Sequence, residues 1–194
     1  MPTAKRYNSV LLAMFVVGSM ALACYGAPQK GGRMSLTVSS EAFKAGAPIP
    51  KKCTEDGQDV SPPLSWQKVP EGTKELALIC DDPDAPTAEP WVHWVLYKIP
   101  ADATHLPEAV PPDAELKAPA GARQGMNTWK TGRTVGYRGP APPKGHGPHH
   151  YHFRLYALDA PLSLHAKATK QELLDAMKGH LLAEGVLIGT YERK

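Results

Sequence analysis

The chain has 194 residues, 42% hydrophobic and 21% charged, which is enough for one domain with a sizeable core and too few for two comfortable ones. Its 22 basic and 19 acidic residues give a formal charge of +3, which excludes the strongly basic surface typical of nucleic-acid binding. The 20 prolines and 17 glycines favour short strands and many turns over a helical bundle.

The first part of the chain is typical of an export signal. Lys5 and Arg6 precede an apolar stretch at residues 10–23 that is too short for a transmembrane helix. Ala21-Leu22-Ala23 then matches the small-residue motif at which signal peptides are cleaved. We therefore predict a signal peptide at residues 1–23 and a protein exported to the periplasm.

Cys24 leaves two states of the exported protein open. It directly follows the cleavage motif, as the acylated cysteine of a lipoprotein does, but Ala21 stands where lipoprotein signals usually carry leucine. The protein is then either anchored to the cell envelope by a lipid on Cys24 or soluble in the periplasm. In both cases residues 24–33 form a flexible tether and residues 34–194 form one domain.

The pattern of apolar residues predicts a mainly β domain. Strands are indicated, in chain order, at residues 35–39, 64–66, 75–80, 91–99, 149–158 and 186–191. Residues 75–80 are almost continuously apolar, so we expect them at the centre of a sheet. Residues 100–122 carry five prolines and little periodicity, which predicts a long surface excursion.

One helix is predicted near the C-terminus. Thr169 and Glu172 fit a capping box, in which the side chain of each residue accepts from the backbone N–H of the other. Apolar residues then recur at helical spacing, at Leu173, Leu174, Met177 and Leu181. We expect Gly185 to end this helix or the turn after it.

Two cysteines lie within the predicted domain. An oxidising compartment would allow Cys53 and Cys80 to form a disulfide, and the alternative is a pair of buried free thiols. The distance between the two residues decides between these states, and a sequence does not contain that distance.

Three acidic residues stand between prolines directly after the predicted strand at residues 75–80. In Asp81-Asp82-Pro83-Asp84-Ala85-Pro86 the prolines fix φ, so the carboxylates cannot relax freely into solvent. A loop after an apolar strand often carries a binding site, although Asp-Pro clusters also occur in plain turns. We take residues 81–90 as one wall of a candidate pocket.

His93 in the next strand is a second candidate. Alternation places it on one strand face with Trp91, Val95 and Tyr97. A histidine among apolar neighbours is either a core residue or a ligand-binding group. Its position one strand after the acidic loop favours the functional role.

Residues 139–152 combine a Gly/Pro-rich loop with the start of a strand. Alternation puts His149 and Tyr151 on one face, and His150 and His152 on the other. An imidazole N–H and a phenol O–H on one face suit a phosphate or carboxylate oxygen, and the glycines let backbone N–H groups approach the same anion. Because the histidines are split between two faces and no neighbouring acid or cysteine completes a ligand set, we predict no metal site.

Taken together, these segments carry a family resemblance. The motifs are, in chain order, Asp59-Val60-Ser61-Pro62-Pro63-Leu64-Ser65-Trp66, Asp82-Pro83-Asp84-Ala85-Pro86, His93-Trp94, Gly139-Pro140 with Pro142-Pro143 and Gly145, His149-His150-Tyr151-His152-Phe153 and Leu155-Tyr156-Ala157-Leu158. They resemble the phosphatidylethanolamine-binding protein family, in particular its bacterial Raf-kinase-inhibitor-like branch of the YbhB/YbcL type. Each motif is weak alone, and their shared order over nearly the whole predicted domain is the specific signal.

The resemblance implies a mainly β fold with a large, antiparallel-rich central sheet packed on a smaller sheet, and a few peripheral helices. It also implies a pocket for phosphate, acetate or a phospholipid head group, built by Asp82, His93, His149 and Tyr151, with Gly139 and Pro140 shaping its wall. Asp82 would pair with or orient a histidine, and His149 and Tyr151 would donate to the anion. The chain departs from the family's His-Arg-Tyr at His150, which puts in doubt the salt bridge of that arginine.

We therefore expect an exported protein that binds a small anion or phospholipid head group without catalysis, cofactor or nucleic acid, and that modulates a partner protein. Membrane association would come only from a lipid on Cys24, and the identity of a protein partner and a homodimer stay open. One alternative is an acid–base hydrolase that uses Asp82 with His93 or His149. Another is a secreted protease inhibitor that binds through the proline-rich residues 107–119.

Overall fold

The computed structural model describes Met1 and residues 34–194. Every helix and strand described below belongs to the compact unit Gly32–Lys194. The predicted signal peptide, the lipidation site Cys24 and the tether lie outside the described residues. Among the described residues, no helix is long and apolar enough to cross a membrane.

The described part of the chain contains nine strands and one α-helix. In chain order the strands are β1 (Met34–Ser35), β2 (Thr37–Ser39), β3 (Leu64–Gln67), β4 (Glu75–Asp82), β5 (Trp91–Pro100), β6 (His105–Leu106), β7 (Arg123–Gln124), β8 (His149–Leu158) and β9 (Leu181–Tyr191). The helix α1 (Lys170–Ala176) precedes β9, and a 3-10 turn at Lys51–Cys53 lies between β2 and β3.

These strands form two sheets. The larger one has the order β1-β9-β8-β4-β5-β7, and all its neighbouring pairs are antiparallel except β1 with β9. The smaller one has the antiparallel order β2-β3-β6. The predicted mainly β fold with a large and a small sheet is confirmed, and β4 lies in the interior of the large sheet as expected.

The core occupies both faces of the larger sheet. Alternate residues of β4 point in opposite directions: Leu76 and Leu78 belong to the cluster that contains Leu64 of the smaller sheet, whereas Ala77 belongs to the cluster that contains Leu173 of α1. Because both faces are covered, β4 is buried along its whole length. This double burial explains why its sequence is almost continuously apolar.

The helix begins as predicted and ends earlier. Thr169 is its N-cap, and the capping box with Glu172 is complete. The helix ends at Ala176, so the prediction that Leu181 continues it is wrong, and Leu181 instead begins β9. The reason is Gly179, whose φ of +84° is a left-handed conformation that ends the helical path.

Three other sequence predictions differ from the structure. Residues 35–39 are divided between the two sheets, because β1 pairs with β9 while β2 pairs with β3. Gly185 lies inside β9, where a Cβ would come within 2.5 Å of the Leu36 carbonyl oxygen, so this glycine permits close packing instead of ending a helix. Residues 100–122 are only partly a surface excursion, since they include β6 and the buried Leu106.

Cys53 and Cys80 are both buried free thiols, so the disulfide considered from the sequence is not formed. Cys53 ends the 3-10 turn and Cys80 lies in β4, both within the cluster that the larger sheet shares with the smaller one. Burial raises the pKa of Cys53 to about 11 and that of Cys80 well above its usual value. Both side chains therefore stay in the weakly reactive thiol form.

Candidate ligand-binding pocket

A pocket of about 290 Å³ opens where β4 ends and where β5 and β8 begin. Four of the six predicted site residues line it: Asp82, His93, His149 and Tyr151. The remaining lining comes from residues 85–87 and 141–143 and from Glu55, Trp91, Trp129 and Arg193. The two segments predicted to meet at one pocket, residues 81–90 and 139–152, both contribute to it.

A β-bulge sets the position of His93. The flanking pairs are Cys80 with Trp94 and Asp81 with Val92, which leaves His93 as the extra residue of β5. Simple alternation would place His93 on the face of Val95, which belongs to the opposite core cluster. The bulge brings it instead to Tyr151, whose ring it meets edge-on at 5.0 Å between centroids. The prediction that His93 shares a face with Val95 and Tyr97 is therefore wrong, whereas His93 and Trp91 do line the same pocket.

The ring of His93 is neutral, and its tautomer is defined by a backbone contact. Nδ1 lies 2.6 Å from the Arg138 carbonyl oxygen, which can only accept, so Nδ1 carries the proton. Burial lowers the pKa of His93 to about 4, against the raising effects of the Arg138 carbonyl and the Asp82 carboxylate. The second ring nitrogen, Nε2, therefore carries a lone pair and accepts hydrogen bonds at neutral pH.

Asp82 and His149 form a buried pair between β4 and β8. His149 Nδ1 donates to Asp82 Oδ2 over 2.8 Å, and the two side chains are only 3% and 5% exposed, respectively. The backbone N–H of Asp84 donates to the other oxygen, Asp82 Oδ1, over 2.9 Å. Both carboxylate oxygens are engaged, so Asp82 orients the imidazole of His149 and leaves its Nε2 for a ligand.

The hydroxyl of Tyr151 is buried without a partner. In the described part of the chain it is the one buried side-chain polar atom that makes no hydrogen bond. Burial raises the pKa of Tyr151, with the Asp82 carboxylate acting in the same direction, so the group stays protonated and remains a donor. A buried donor of this kind calls for an explanation, and a bound acceptor supplies one.

Gly139 and Pro140 lie directly before the pocket wall instead of lining it. The Gly139 N–H donates to Asp59 Oδ1 over 2.6 Å, and a Cβ on Gly139 would come within 2.3 Å of the Cys53 carbonyl oxygen. Gly139 therefore holds the chain close to Asp59 and Cys53 just before residues 141–143. The wall itself is residues 141–143, in which Ala141 supplies the one backbone N–H between prolines. This amide is a candidate donor that sequence patterning missed, although the spacing Pro-Ala-Pro-Pro could have indicated it.

An aromatic rim completes the pocket; sequence patterning placed Trp91 beside His93 but missed Trp129. Trp129 meets Trp91 edge-on at 5.3 Å and His93 at 5.0 Å between ring centroids. The Arg138 guanidinium lies 4.7 Å from the centroid of the Trp129 ring and pairs with the Glu55 carboxylate. No local signal could have found Trp129, because it lies in an irregular segment far along the chain from the acidic loop.

His150 points to the other side of β8, as alternation predicted. Its Nδ1 lies 2.7 Å from Asp84 Oδ2, and its backbone N–H donates to the same oxygen over 2.8 Å. Burial acts to raise the pKa of Asp84, and the hydrogen bonds from His150 outweigh it and lower that pKa below its usual value. His150 thus pairs with Asp84 on the side of β8 that faces away from the pocket.

The structure offers little to a metal. Among residues 34–194, no group of three or more His, Cys, Asp or Glu side chains is arranged to hold an ion. His146 and His149 come closest to each other, with ring centroids 6.0 Å apart, but His149 is already paired with Asp82.

Comparison with known proteins gives the same architecture. The profile of the phosphatidylethanolamine-binding protein family matches residues 39–192. A UPF0098 protein of Methanothermobacter thermautotrophicus is 50% identical to the chain over 158 residues, which is 81% of this chain and 99% of that protein.

Two solved structures are also similar. Escherichia coli YbcL, described as a member of the mammalian PEBP family, has a TM-score of 0.76 at 33% identity, over 83% of this chain and 100% of YbcL. A PEBP homolog from Chlamydia trachomatis has a TM-score of 0.71 at 40% identity, over 82% of this chain and 99% of the homolog. This chain belongs to the phosphatidylethanolamine-binding protein family.

Proposed function

We propose that this protein binds a small anion, of the size of a phosphate or carboxylate group, in the pocket and does so without catalysis. The observation that carries the proposal is the buried, unpartnered hydroxyl of Tyr151, in a pocket that His149 also lines. A buried polar group without a partner costs about 1–3 kcal/mol. An anion that accepts from Tyr151 removes this cost.

The remaining pocket groups are consistent with such a ligand. The Ala141 amide can donate to an anion, and His149 can do so once it is protonated. The volume of about 290 Å³ suits a head group or a small phosphorylated molecule and is too small for a lipid tail as well. A free phosphate and a phospholipid head group, which the name of the family suggests, both present anionic oxygen atoms that accept hydrogen bonds.

Thermal unfolding with increasing phosphate tests the proposal. We expect the Tm of the wild-type protein to rise with the concentration of phosphate and of phosphoethanolamine, and the NMR signals of His93 and His149 to shift at the same concentrations. The Tyr151→Phe variant should show a much smaller rise in Tm. Absence of any response of the wild-type protein to millimolar phosphate, phosphoethanolamine or acetate would exclude the proposal.

Hydrolysis is a second candidate, because the buried Asp82–His149 pair has the geometry of a general base with its orienting acid. Binding is favoured over covalent catalysis because the pocket lining contains no serine or cysteine and only Thr87 as an aliphatic hydroxyl, and both described thiols are buried. A panel of carboxylic and phosphoric esters separates the two functions. Turnover that a His149→Asn variant abolishes would replace binding by catalysis.

We also propose that the protein acts outside the cytoplasm, on the evidence of its first 24 residues. Cell fractionation with an intact-mass measurement should find a chain that begins at Cys24 in the envelope or the periplasm. A mass that adds fatty acyl groups and a glyceryl group would assign the lipoprotein state. A cytoplasmic chain that retains residues 1–23 would contradict the proposal.

A further inference from the structure

The charges around the pocket do not favour a doubly charged anion. Arg193 lines the pocket, but its Nε donates to Asp56 Oδ2 over 2.8 Å. Arg138, beside the pocket, is paired with the lining residue Glu55. Since both cations are already compensated and Asp82 adds a carboxylate to the lining, a dianion would find little net positive charge. A monoanion meets a smaller penalty.

Two histidine nitrogens add lone pairs to the same site. His93 donates through Nδ1 to the Arg138 carbonyl, so its Nε2 is an acceptor. His149 donates through Nδ1 to Asp82, so its Nε2 is also an acceptor while the ring is neutral. A lone pair facing an anion's oxygen is repulsive unless a hydrogen lies between them.

The donors of the pocket are of a different kind. The Tyr151 hydroxyl has no acceptor within the described residues, and the lining residue Ala141 carries a backbone N–H. A complementary ligand therefore presents oxygen atoms to Tyr151 and Ala141 and a hydrogen to a histidine nitrogen. Sulfates, ionised carboxylates and phosphodiesters have the oxygen atoms but lack the hydrogen.

We propose that the pocket selects the monoanion of a phosphate monoester, whose P–OH group donates to Nε2 of His93 while its other oxygens accept from Tyr151. This inference rests on the proposed binding of anions and adds which anions bind. A phosphate monoester exchanges its second proton at a pKa of about 6, so most of it carries that hydrogen in mildly acidic solution and only about a tenth does at pH 7. The pocket thus distinguishes ligands by whether they carry this hydrogen as well as by their charge.

Other titratable groups lie around the His93 ring. Asp82 of β4, Tyr151 and His149 of β8, and Glu55 and Arg193 share the pocket lining with it, and Asp81 acts on it electrostatically from the other side of the sheet. Of these, His149 turns from acceptor to donor on taking up a proton. Two ligands compared at one pH meet the same state of the free protein, so the comparison isolates the ligand's own hydrogen.

Methyl phosphate and methyl sulfate form a matched pair of probes. At about pH 5 both are monoanions of nearly the same shape, and only methyl phosphate carries an acidic hydrogen. Calorimetric titration of the wild-type protein should show that methyl phosphate binds about tenfold more tightly, the effect of one hydrogen bond gained and one repulsion removed.

The His93→Asn variant identifies the acceptor. Asparagine places its Nδ2 near the position of the histidine Nδ1, so it keeps a donor for the Arg138 carbonyl and removes only the second ring nitrogen. In this variant the preference for methyl phosphate should fall to about one. Tyr151→Phe is the matched control, since it should weaken both ligands and leave their ratio unchanged.

The outcomes distinguish the inference from the function beneath it. Equal affinity of the wild-type protein for the two probes would overturn the inference and leave anion binding intact. A preference for methyl phosphate that survives in the His93→Asn variant would also overturn it, because another group would then accept the hydrogen bond from the ligand. Failure of the wild-type protein to bind either probe, or phosphate, would overturn the proposed function and this inference with it.

Discussion

Asp81 and Asp82 are neighbours on β4, yet their carboxylates have opposite electrostatic surroundings. Asp81 points away from the pocket and pairs with two cations, Arg154 and Lys170, the latter with Nζ at 2.5 Å. Asp82 lines the pocket and pairs with His149. Both carboxylates are about 95% buried. Because alternate residues of a strand point to opposite faces, Asp81 and Asp82 make their contacts on opposite sides of the sheet.

The difference shows how the partner of a buried carboxylate decides its role. Arginine and lysine keep their charge over the whole physiological range, so the Asp81 cluster is a fixed structural contact. His149 uses only Nδ1 on Asp82 and keeps its Nε2 for a ligand, so the Asp82 pair can contact what enters the pocket. The comparison predicts that changes near Asp81 alter stability and changes near Asp82 alter binding.

The largest effect is expected from Asp81→Asn. Removing one partner of a buried ion cluster leaves Arg154 and Lys170 uncompensated, and the free energy of unfolding should fall by roughly 3 kcal/mol. Denaturant unfolding measures this loss, and phosphate titration of the folded variant should change by less than about twofold. Asp82→Asn is the matched control and should show the reverse pattern. Equal losses of phosphate affinity in both variants would contradict the assignment of Asp81 to stability and Asp82 to binding.

The pH dependence of the free energy of unfolding should reflect proton binding by His93. Burial lowers its pKa from 6.5 to about 4. Between these values the unfolded chain binds a proton that the native protein does not, so stability is full above about pH 6.5 and falls as the pH decreases towards 4. The loss should reach on the order of 3 kcal/mol. The His93→Asn variant should lack this dependence, and an unchanged slope in the variant would assign the effect to another group.

Tyr151→Phe should separate binding from stability. The variant removes a buried hydroxyl that has no partner, so we expect the free energy of unfolding to stay the same or rise by up to about 1 kcal/mol. Phosphate affinity should fall about tenfold, since the anion loses a donor. Tyr156→Phe, on the opposite face of β8, is the control and should leave the affinity unchanged. A clear loss of stability in Tyr151→Phe would mean that the hydroxyl has a structural partner.

The smallest effect is expected from His150→Arg. Arginine would give Asp84 a permanent cation, but the pair is about half exposed, so the gain in stability should stay below about 1 kcal/mol. Anion affinity should not change, because the residue faces away from the pocket. A strong change in affinity would show that the two faces of β8 are coupled.

The sequence by itself determined those features that depend on neighbours along the chain. Alternation placed His149 and Tyr151 on one face of β8, and the Thr169–Glu172 capping box marked the start of α1. The continuous apolar run of β4 indicated a strand buried on both faces. Each of these follows from the spacing of residue types within one element, which the chain carries without help from other elements.

Only the tertiary structure decided the features that depend on contacts between elements. The bulge that turns His93 towards Tyr151 arises from the register of β5 against β4, which no property of β5 alone specifies. Trp129 reaches the pocket from a segment without regular structure, and the Arg138 carbonyl that selects the tautomer of His93 also comes from outside the strand. Chain folding brings these groups together over long sequence distances, so the hydrogen-bonding character of the pocket, unlike the identity of most of its residues, was not contained in the local pattern.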